Sequence, residues 1–251
     1  MRNNKLPPVI FKEKILKVGI IADIHADSQT IRSYDDKTPG NIIYPVKYGE
    51  LFPKALQEMK SEDVNFLVLL GDNTNDSSLK HARNLKTMID NAGLEAFSVK
   101  GNHDNKEAGV METLGANERY YYRDKEDWRV VILDTNEEGN GSGSGGMSED
   151  QLNWFREISD ADKKIIVFMH HPIFKREEKE KVDPIYENFF QEIKGNKRIK
   201  YVISGHWHVS YWEREENKIK FIGIPAFLLR DMEGYYKTID LISYKWFWEN
   251  D

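Results

Sequence analysis

Five apolar, β-branched runs in this chain of 251 residues each break off into Asp, Asn or His, and that repeated juxtaposition limits the folds open to it. Lys17 to Ala22 leads into Asp23-Ile24-His25, Phe66 to Leu70 into Gly71-Asp72, and Ala96 to Val99 into Gly101-Asn102-His103-Asp104. Ile165 to Met169 leads into His170-His171, and Tyr201 to Ser204 into Gly205-His206-Trp207-His208. Runs this short and this continuously apolar read as strands buried on both faces, as do Val130 to Leu133 and Phe221 to Ile224. In open α/β sheets the carboxyl ends of the strands form the rim of the binding crevice, so segments far apart in sequence converge on one site.

Helical patterns separate the runs. Leu79, Ala82, Leu85 and Ile89 fall at helical spacing, with Gly93 placed to end that helix. Ser148 to Gln151 forms a capping box ahead of Leu152, Trp154 and Phe155, and Asp183-Pro184 supplies an N-cap and a first-position proline for a helix that ends at Gly195. Gly49 to Met59 is a further helix, in which Pro53 must lie in the first turn or kink it. Tyr244 to Trp248 alternates like an edge strand. Strands alternating with helices give an α/β layered fold, with antiparallel pairing toward the C-terminus, and the length suits one domain over 1–251.

Composition narrows the chemistry. There is no Cys, which excludes disulfides, thiolate zinc sites and a Cys nucleophile, so any metal must sit on His, carboxylate or amide. A net charge of -6 offers no global attraction to nucleic acid. No stretch reaches the ~18 consecutive apolar residues of a bilayer span. Met1 to Phe11 lacks a signal-peptide core, so the expected location is the cytoplasm, with no membrane partner.

Six of the seven histidines fall in the strand-end clusters; the seventh, His81, lies in a helical pattern and reads as a solvated or packing residue. Residues i and i+2 of an extended segment face the same way, so Asp23 with His25, and His206 with His208, can each aim two side chains into one cavity. Gly71, Gly101 and Gly205 stand where a strand must turn sharply and bring backbone close to bound groups. Imidazole, carboxylate and amide without thiolate suit manganese, iron, zinc or cobalt. The donors exceed what one tetrahedral ion needs, and two ions are the economical reading.

The ordered set Asp23-x-His25, Gly71-Asp72, Gly101-Asn102-His103-Asp104, His170 and Gly205-His206-x-His208 resembles the calcineurin-like metallophosphoesterase superfamily. The resemblance implies a four-layer α/β/β/α sandwich, two mixed sheets flanked by helices, with a dinuclear metal site at the strand C-terminal ends. It implies that Asp23, His25 and His208 hold the first ion, that Asn102, His170 and His206 hold the second, and that Asp72 bridges them. His103 would stand beside the leaving group. Two divalent ions bring roughly four positive charges against three from Asp23, Asp72 and a bridging hydroxide, which leaves a centre that favours an anionic phosphate ester.

Relatives that orient the catalytic His with an Asp often place it three residues after the bridging Asp. Here Asn75 stands there and Asp76 follows, which leaves Asp104 or Asp76 for that role. Asn75 also speaks against the Tyr ligand of purple acid phosphatases. His103 replaces the Arg of the lipid A pathway pyrophosphatases, and Asn73 to Asp76 lack the Asp-Arg-Gly of protein Ser/Thr phosphatases. His170-His171-Pro172 and the Gln151 to Trp154 helix are similar to class III cyclic-nucleotide and small-molecule phosphodiesterases. The expected activity is hydrolysis of a small, nucleotide-like phosphodiester; the alternatives are a phosphomonoesterase, a DNA nuclease and a non-catalytic protein-binding scaffold. His171 reads as a neighbour of the ligands, and Trp207, Tyr211 and Trp212 as packing residues before stacking ones. Gly139 to Gly146 reads as a surface loop or a lid, and Asp27 to Lys47 as part of the substrate rim.

Overall fold

A computed structural model of the chain describes residues 9–33, 42–136, 145–176, 178, 180–208 and 210–247. Most of Gly139 to Gly146, part of Asp27 to Lys47, and Trp248 lie outside the described residues.

The chain opens with strand β1 (Val9–Ile21), two short strands β2 (Arg32–Ser33) and β3 (Ile42–Ile43), and helix α1 (Tyr48–Ser61). There follow β4 (Phe66–Leu70), α2 (Leu79–Ala92), β5 (Glu95–Val99), the one-turn helix α3 (Val110–Thr113), and the hairpin β6 (Tyr121–Lys125) with β7 (Trp128–Ile132). Helix α4 (Glu149–Ser159), β8 (Lys164–Phe168), α5 (Glu187–Gly195) and β9 (Ile199–Ser204) come next. The hairpin β10 (Trp212–Glu216) with β11 (Ile219–Gly223) and the long β12 (Lys237–Phe247) complete it.

Two mixed sheets carry all of these strands but β2 and β3, which pair with each other in a small antiparallel sheet. The first has the order β12-β1-β4-β5, with β1, β4 and β5 parallel and β12 antiparallel at the edge, as the alternation of Tyr244 to Phe247 predicts. The second has the order β10-β11-β9-β8-β7-β6, with a parallel centre and an antiparallel strand at each edge. Side-chain alternation divides the apolar residues of each strand between two layers. Val68 and Leu70 of β4 meet Val130, Ile166 and Ile203 of the other sheet in the central layer, while Leu67 and Leu69 turn out against Phe52, Leu56, Ala82 and Leu85 of α1 and α2. On the far side Val131, Ile165 and Val167 pack on Leu152 and Phe155 of α4 and on Phe189 and Ile193 of α5. The fold is therefore the helix, sheet, sheet, helix sandwich that the resemblance implies.

The helix signals act as expected. Gly93 ends α2 in the left-handed conformation at φ 65°, and the Ser148 hydroxyl accepts from Gln151 N at 3.1 Å to cap α4. Asp183 caps a 3₁₀ turn at Pro184–Tyr186 that leads into α5, and Gly195 is the last helical residue. A second 3₁₀ turn at Pro45–Lys47 sets α1 off earlier than its apolar spacing suggests. Pro53 accordingly lies in the second turn, and the helix runs on past it to Ser61.

Candidate metal centre

The ends of β1, β4 and β5 from one sheet and of β8 and β9 from the other meet at a common edge, and every predicted ligand lies there. The ends of β1 and β4 are laced by backbone. Asp23 N donates to the Gly71 carbonyl at 3.1 Å and His25 N to the Asp72 carbonyl at 2.8 Å. Across the second sheet Gly205 N donates to the His170 carbonyl at 3.0 Å.

The ligands converge by a route that extended-strand spacing does not foresee. Asp23 (φ 51°), His25 (φ 47°), Asp72 (φ 48°), His206 (φ 70°) and His208 (φ 49°) all take the left-handed backbone rather than the extended one. For residues with a Cβ this costs about 1–2 kcal/mol each, a strain that persists only where surrounding contacts over-determine it. Asp23 and His25 do share one cavity, whereas His206 and His208 diverge toward separate groups of donors.

One group is Asp23, His25, Asp72 and His208, all buried, with one donor atom from each lying within 4.8 Å of the others. His25 Nε2 lies 2.9 Å from His208 Nε2 and 3.5 Å from Asp72 Oδ2, and His208 Nε2 lies 3.3 Å from Asp23 Oδ1. The second group centres on His170 Nε2, which is 3.2 Å from Asn102 Oδ1, 3.2 Å from His206 Nδ1 and 3.3 Å from Asp72 Oδ2. Asp72 thus reaches both groups. Donors sharing one ion at bonds of about 2.1 Å stand about 3 Å apart, the spacing found here, so these residues fit two ions. Tautomer control fits as well. His170 Nδ1 lies 3.0 Å from the Leu70 carbonyl, which takes the ring proton there and leaves Nε2 as the donor to a metal.

Electrostatics prepares the donors. Burial holds the His25 imidazole well below its ordinary value, and burial together with neighbouring His170 brings His206 down to about 4, so both rings are neutral at pH 7. His170 moves the other way. Burial opposes its charge, but the adjoining Asp72 carboxylate outweighs burial and lifts it to about 9. His170 in turn holds the buried Asp72 carboxyl well below the usual carboxylate range. Below about pH 9 His170 therefore carries a proton that a metal must displace. Metal uptake at pH 7 is expected to release this proton, release should vanish above about pH 9, and apparent affinity should rise by up to about tenfold per pH unit in between. Calorimetric titration in buffers of different ionisation enthalpy measures it.

The strand-end glycines are set by close approach. A Cβ on Gly101 would land on the backbone nitrogen and carboxylate of Asp72, one on Gly71 (φ 88°) on the His170 ring, and one on Gly205 on the Asp23 carboxylate, at 2.5 Å. Gly101→Ala is expected to cut bound metal well below the wild-type stoichiometry, read by elemental analysis, because Asp72 must move to admit the methyl group.

His103 is half-buried beside this centre, its ring edge-on to His25 at 4.8 Å between centroids. The group that orients it is neither of the two carboxylates considered from sequence: Nδ1 lies 2.6 Å from the backbone carbonyl of Asn75. Asp104 serves the loop instead. Its buried carboxylate accepts five hydrogen bonds, from the backbone N–H groups of Asn73, Thr74 and Gly101 and from the side chains of Asn73 and Thr74. Burial and the nearby Asp72 charge still push its carboxyl up to about 6.

Other predicted neighbours take structural positions. His171 is buried, its Nδ1 2.8 Å from Thr135 Oγ1 and its ring against His206. Gln151 reaches from α4 to bracket the backbone of Asp134 with two 2.8 Å hydrogen bonds, which steadies the loop that carries Thr135. Trp207 and Trp212 pack on each other, Trp212 also meets Phe174, and the Tyr211 hydroxyl donates to Glu213 at 2.6 Å. His81 is a packing residue, 2.8 Å from the Tyr48 hydroxyl. Asp27 entered the sequence reading only as the start of the Asp27 to Lys47 segment, although it continues the Asp23-x-His25 alternation by one step: it lies buried, bonded to Asn75.

Residues 16–210 match the calcineurin-like phosphoesterase family, a span that covers all five ligand-bearing strand ends. The chain belongs to that family. Among proteins similar to this chain is a probable cyclic nucleotide phosphodiesterase of Fibrobacter succinogenes, 29% identical over 169 residues, which cover 64% of this chain and 59% of that protein. The 3′,5′-cyclic adenosine monophosphate phosphodiesterase CpdA of Pseudomonas aeruginosa is 23% identical over 193 residues, 73% of this chain and 69% of that one. In structure the chain is similar to a dimetal phosphatase from Danio rerio, with a TM-score of 0.74 and 16% identity over 92% of this chain and 95% of the other, a likeness of fold. No helix among its described residues is long and apolar enough to cross a membrane.

Proposed function

We infer that this phosphoesterase hydrolyses small, nucleotide-like phosphodiesters with two divalent ions drawn from manganese, iron, zinc or cobalt. The observation that carries the reading is the double role of Asp72, whose Oδ2 lies 3.5 Å from His25 Nε2 in one donor group and 3.3 Å from His170 Nε2 in the other. Asp23, His25 and His208 would hold one ion, Asn102, His170 and His206 the second, and Asp72 both. When bound, the ions supply Lewis acidity toward phosphoryl oxygens and a water of lowered pKa.

The rest falls to the chain. The buried donors exclude bulk water from the ligand side of the site, and the half-buried His103 borders its open side. The Asn75 carbonyl holds the Nδ1 proton of His103, and as an imidazolium the ring would give its Nε2 proton to the departing alkoxide and be left neutral. No covalent intermediate on a side chain is required. Similarity to the Fibrobacter and Pseudomonas cyclic nucleotide phosphodiesterases favours a cyclic nucleotide among diesters. The net charge of -6 disfavours a nucleic-acid polymer.

The test is turnover by manganese-loaded protein of bis-p-nitrophenyl phosphate, p-nitrophenyl phosphate, 2′,3′- and 3′,5′-cyclic nucleotides and single-stranded DNA. Diester turnover above monoester and DNA turnover is the expected result. A monoester or DNA preference replaces the substrate class, and no turnover with any of the four metals removes the hydrolytic reading in favour of a protein-binding scaffold.

A further inference from the structure

Asp27 lies two residues beyond His25, outside both donor groups, and the hydrolytic reading makes no use of it. Its buried carboxylate accepts a 2.6 Å hydrogen bond from Asn75 Nδ2, together with bonds from Ser28 N at 2.6 Å and Ser28 Oγ at 3.3 Å. Burial opposes its ionisation, but the Asn75 amide and the Ser28 and Gln29 backbone outweigh burial and hold the carboxyl below its ordinary range. Asn75 is buried as well, and its carbonyl is the group 2.6 Å from His103 Nδ1.

The two segments are joined along their length. Ala26 N donates to the Asn73 carbonyl at 3.0 Å and Asn75 N to the Ala26 carbonyl at 3.3 Å, a parallel bridge that ends at the Asp27 to Asn75 side-chain bond. Beyond that bond the chain leaves the ladder, and the direction of the Asn75 carbonyl depends on how its own residue is held. We propose that Asp27 and Asn75 are positioning residues for His103: the Asp27 carboxylate clamps the Asn75 amide, the Asn75 carbonyl thereby meets Nδ1, and Nε2 is turned toward the leaving oxygen.

The chemistry of the pair requires one donor and one acceptor. Asn75→Asp would set two carboxylates against each other at a spacing where both cannot ionise, whereas Asp27→Asn combined with Asn75→Asp restores the pair with its polarity reversed. The inference rests on the reading of His103 as the group beside the leaving oxygen, so the readout is leaving-group dependence. p-Nitrophenolate departs without a proton; a ribose alkoxide does not.

Asp27→Ala and Asn75→Asp are expected to lower kcat on an alkoxide-leaving diester by about tenfold, part of the roughly 10²–10⁴-fold that general acids contribute. KM, metal content and turnover of bis-p-nitrophenyl phosphate should stay near wild type. Asp27→Asn, which keeps an acceptor oxygen, and the swapped double variant should recover most of the loss. Equal defects on both esters, a fully active Asn75→Asp, or a double variant no better than the single ones would overturn the proposal.

A second readout does not depend on turnover. In zinc-loaded protein the Nδ1 proton of His103, assigned by its absence in His103→Gln, should give a slowly exchanging imidazole resonance that Asp27→Ala loses and the swapped pair restores. An unchanged resonance in Asp27→Ala overturns the clamp. If no ester is turned over but the resonance behaves as stated, the hydrolytic reading fails and the clamp stands.

Discussion

Asp72→Asn is expected to lower phosphodiester turnover by about a thousandfold or more and to leave the protein short of its second metal equivalent. Its Oδ2 lies close to a ring nitrogen of each donor group, 3.5 Å from His25 Nε2 and 3.3 Å from His170 Nε2. An amide keeps the shape of the side chain but removes the negative charge and turns an acceptor into a donor. Two ions sharing one site then repel without the shared anion, and several kcal/mol of transition-state stabilisation goes with the lost ion, a thousandfold or more in rate. The same substitution removes the charge that lifts His170 to about 9, so proton release on metal uptake at pH 7 should shrink with it. Elemental analysis and kcat on a cyclic nucleotide check both parts. Full activity with two ions per chain would exclude Asp72 as the bridge.

His103→Ala should cost about 10²–10⁴-fold in kcat on substrates that leave as alkoxides, with metal content unchanged. The ring is edge-on to His25 and belongs to neither donor group, so its removal leaves the metal ligands in place. The loss should be far smaller on bis-p-nitrophenyl phosphate, whose leaving anion needs no proton. A uniform loss across leaving groups would give His103 a role in binding phosphate rather than in protonating the departing oxygen.

Much of the fold was legible because its signals are local. Continuous apolar runs such as Phe66 to Leu70 have one stable fate, a strand covered on both sides, and the burial of all five residues agrees. Gly93 and Ser148 marked helix ends because a left-handed C-terminus and an unpaired backbone N–H each select few residue types. The edge strands β6 (YYRDK) and β10 (WEREE) were not read, since an exposed edge carries charges that mask its period. The start of α1 was displaced by a 3₁₀ turn, a feature with little sequence signature.

At the site, residue identity and strand-end position pointed to the five clusters, because imidazole and carboxylate in that density have few other uses, and the family resemblance singled out Asp23, His25, Asp72, Asn102, His170, His206 and His208 within them. Two matters belonged to the tertiary structure. The left-handed backbone at five of these residues arises from contacts between strand ends brought together by the fold, and no local propensity encodes it. The orientation of His103 falls to a main-chain carbonyl, that of Asn75, braced by Asp27 from 48 residues away. A sequence records side chains and their spacing, so it marked the candidate donors and the strands that carry them; a carbonyl is present at every residue, and only the folded chain decides which one meets the His103 ring.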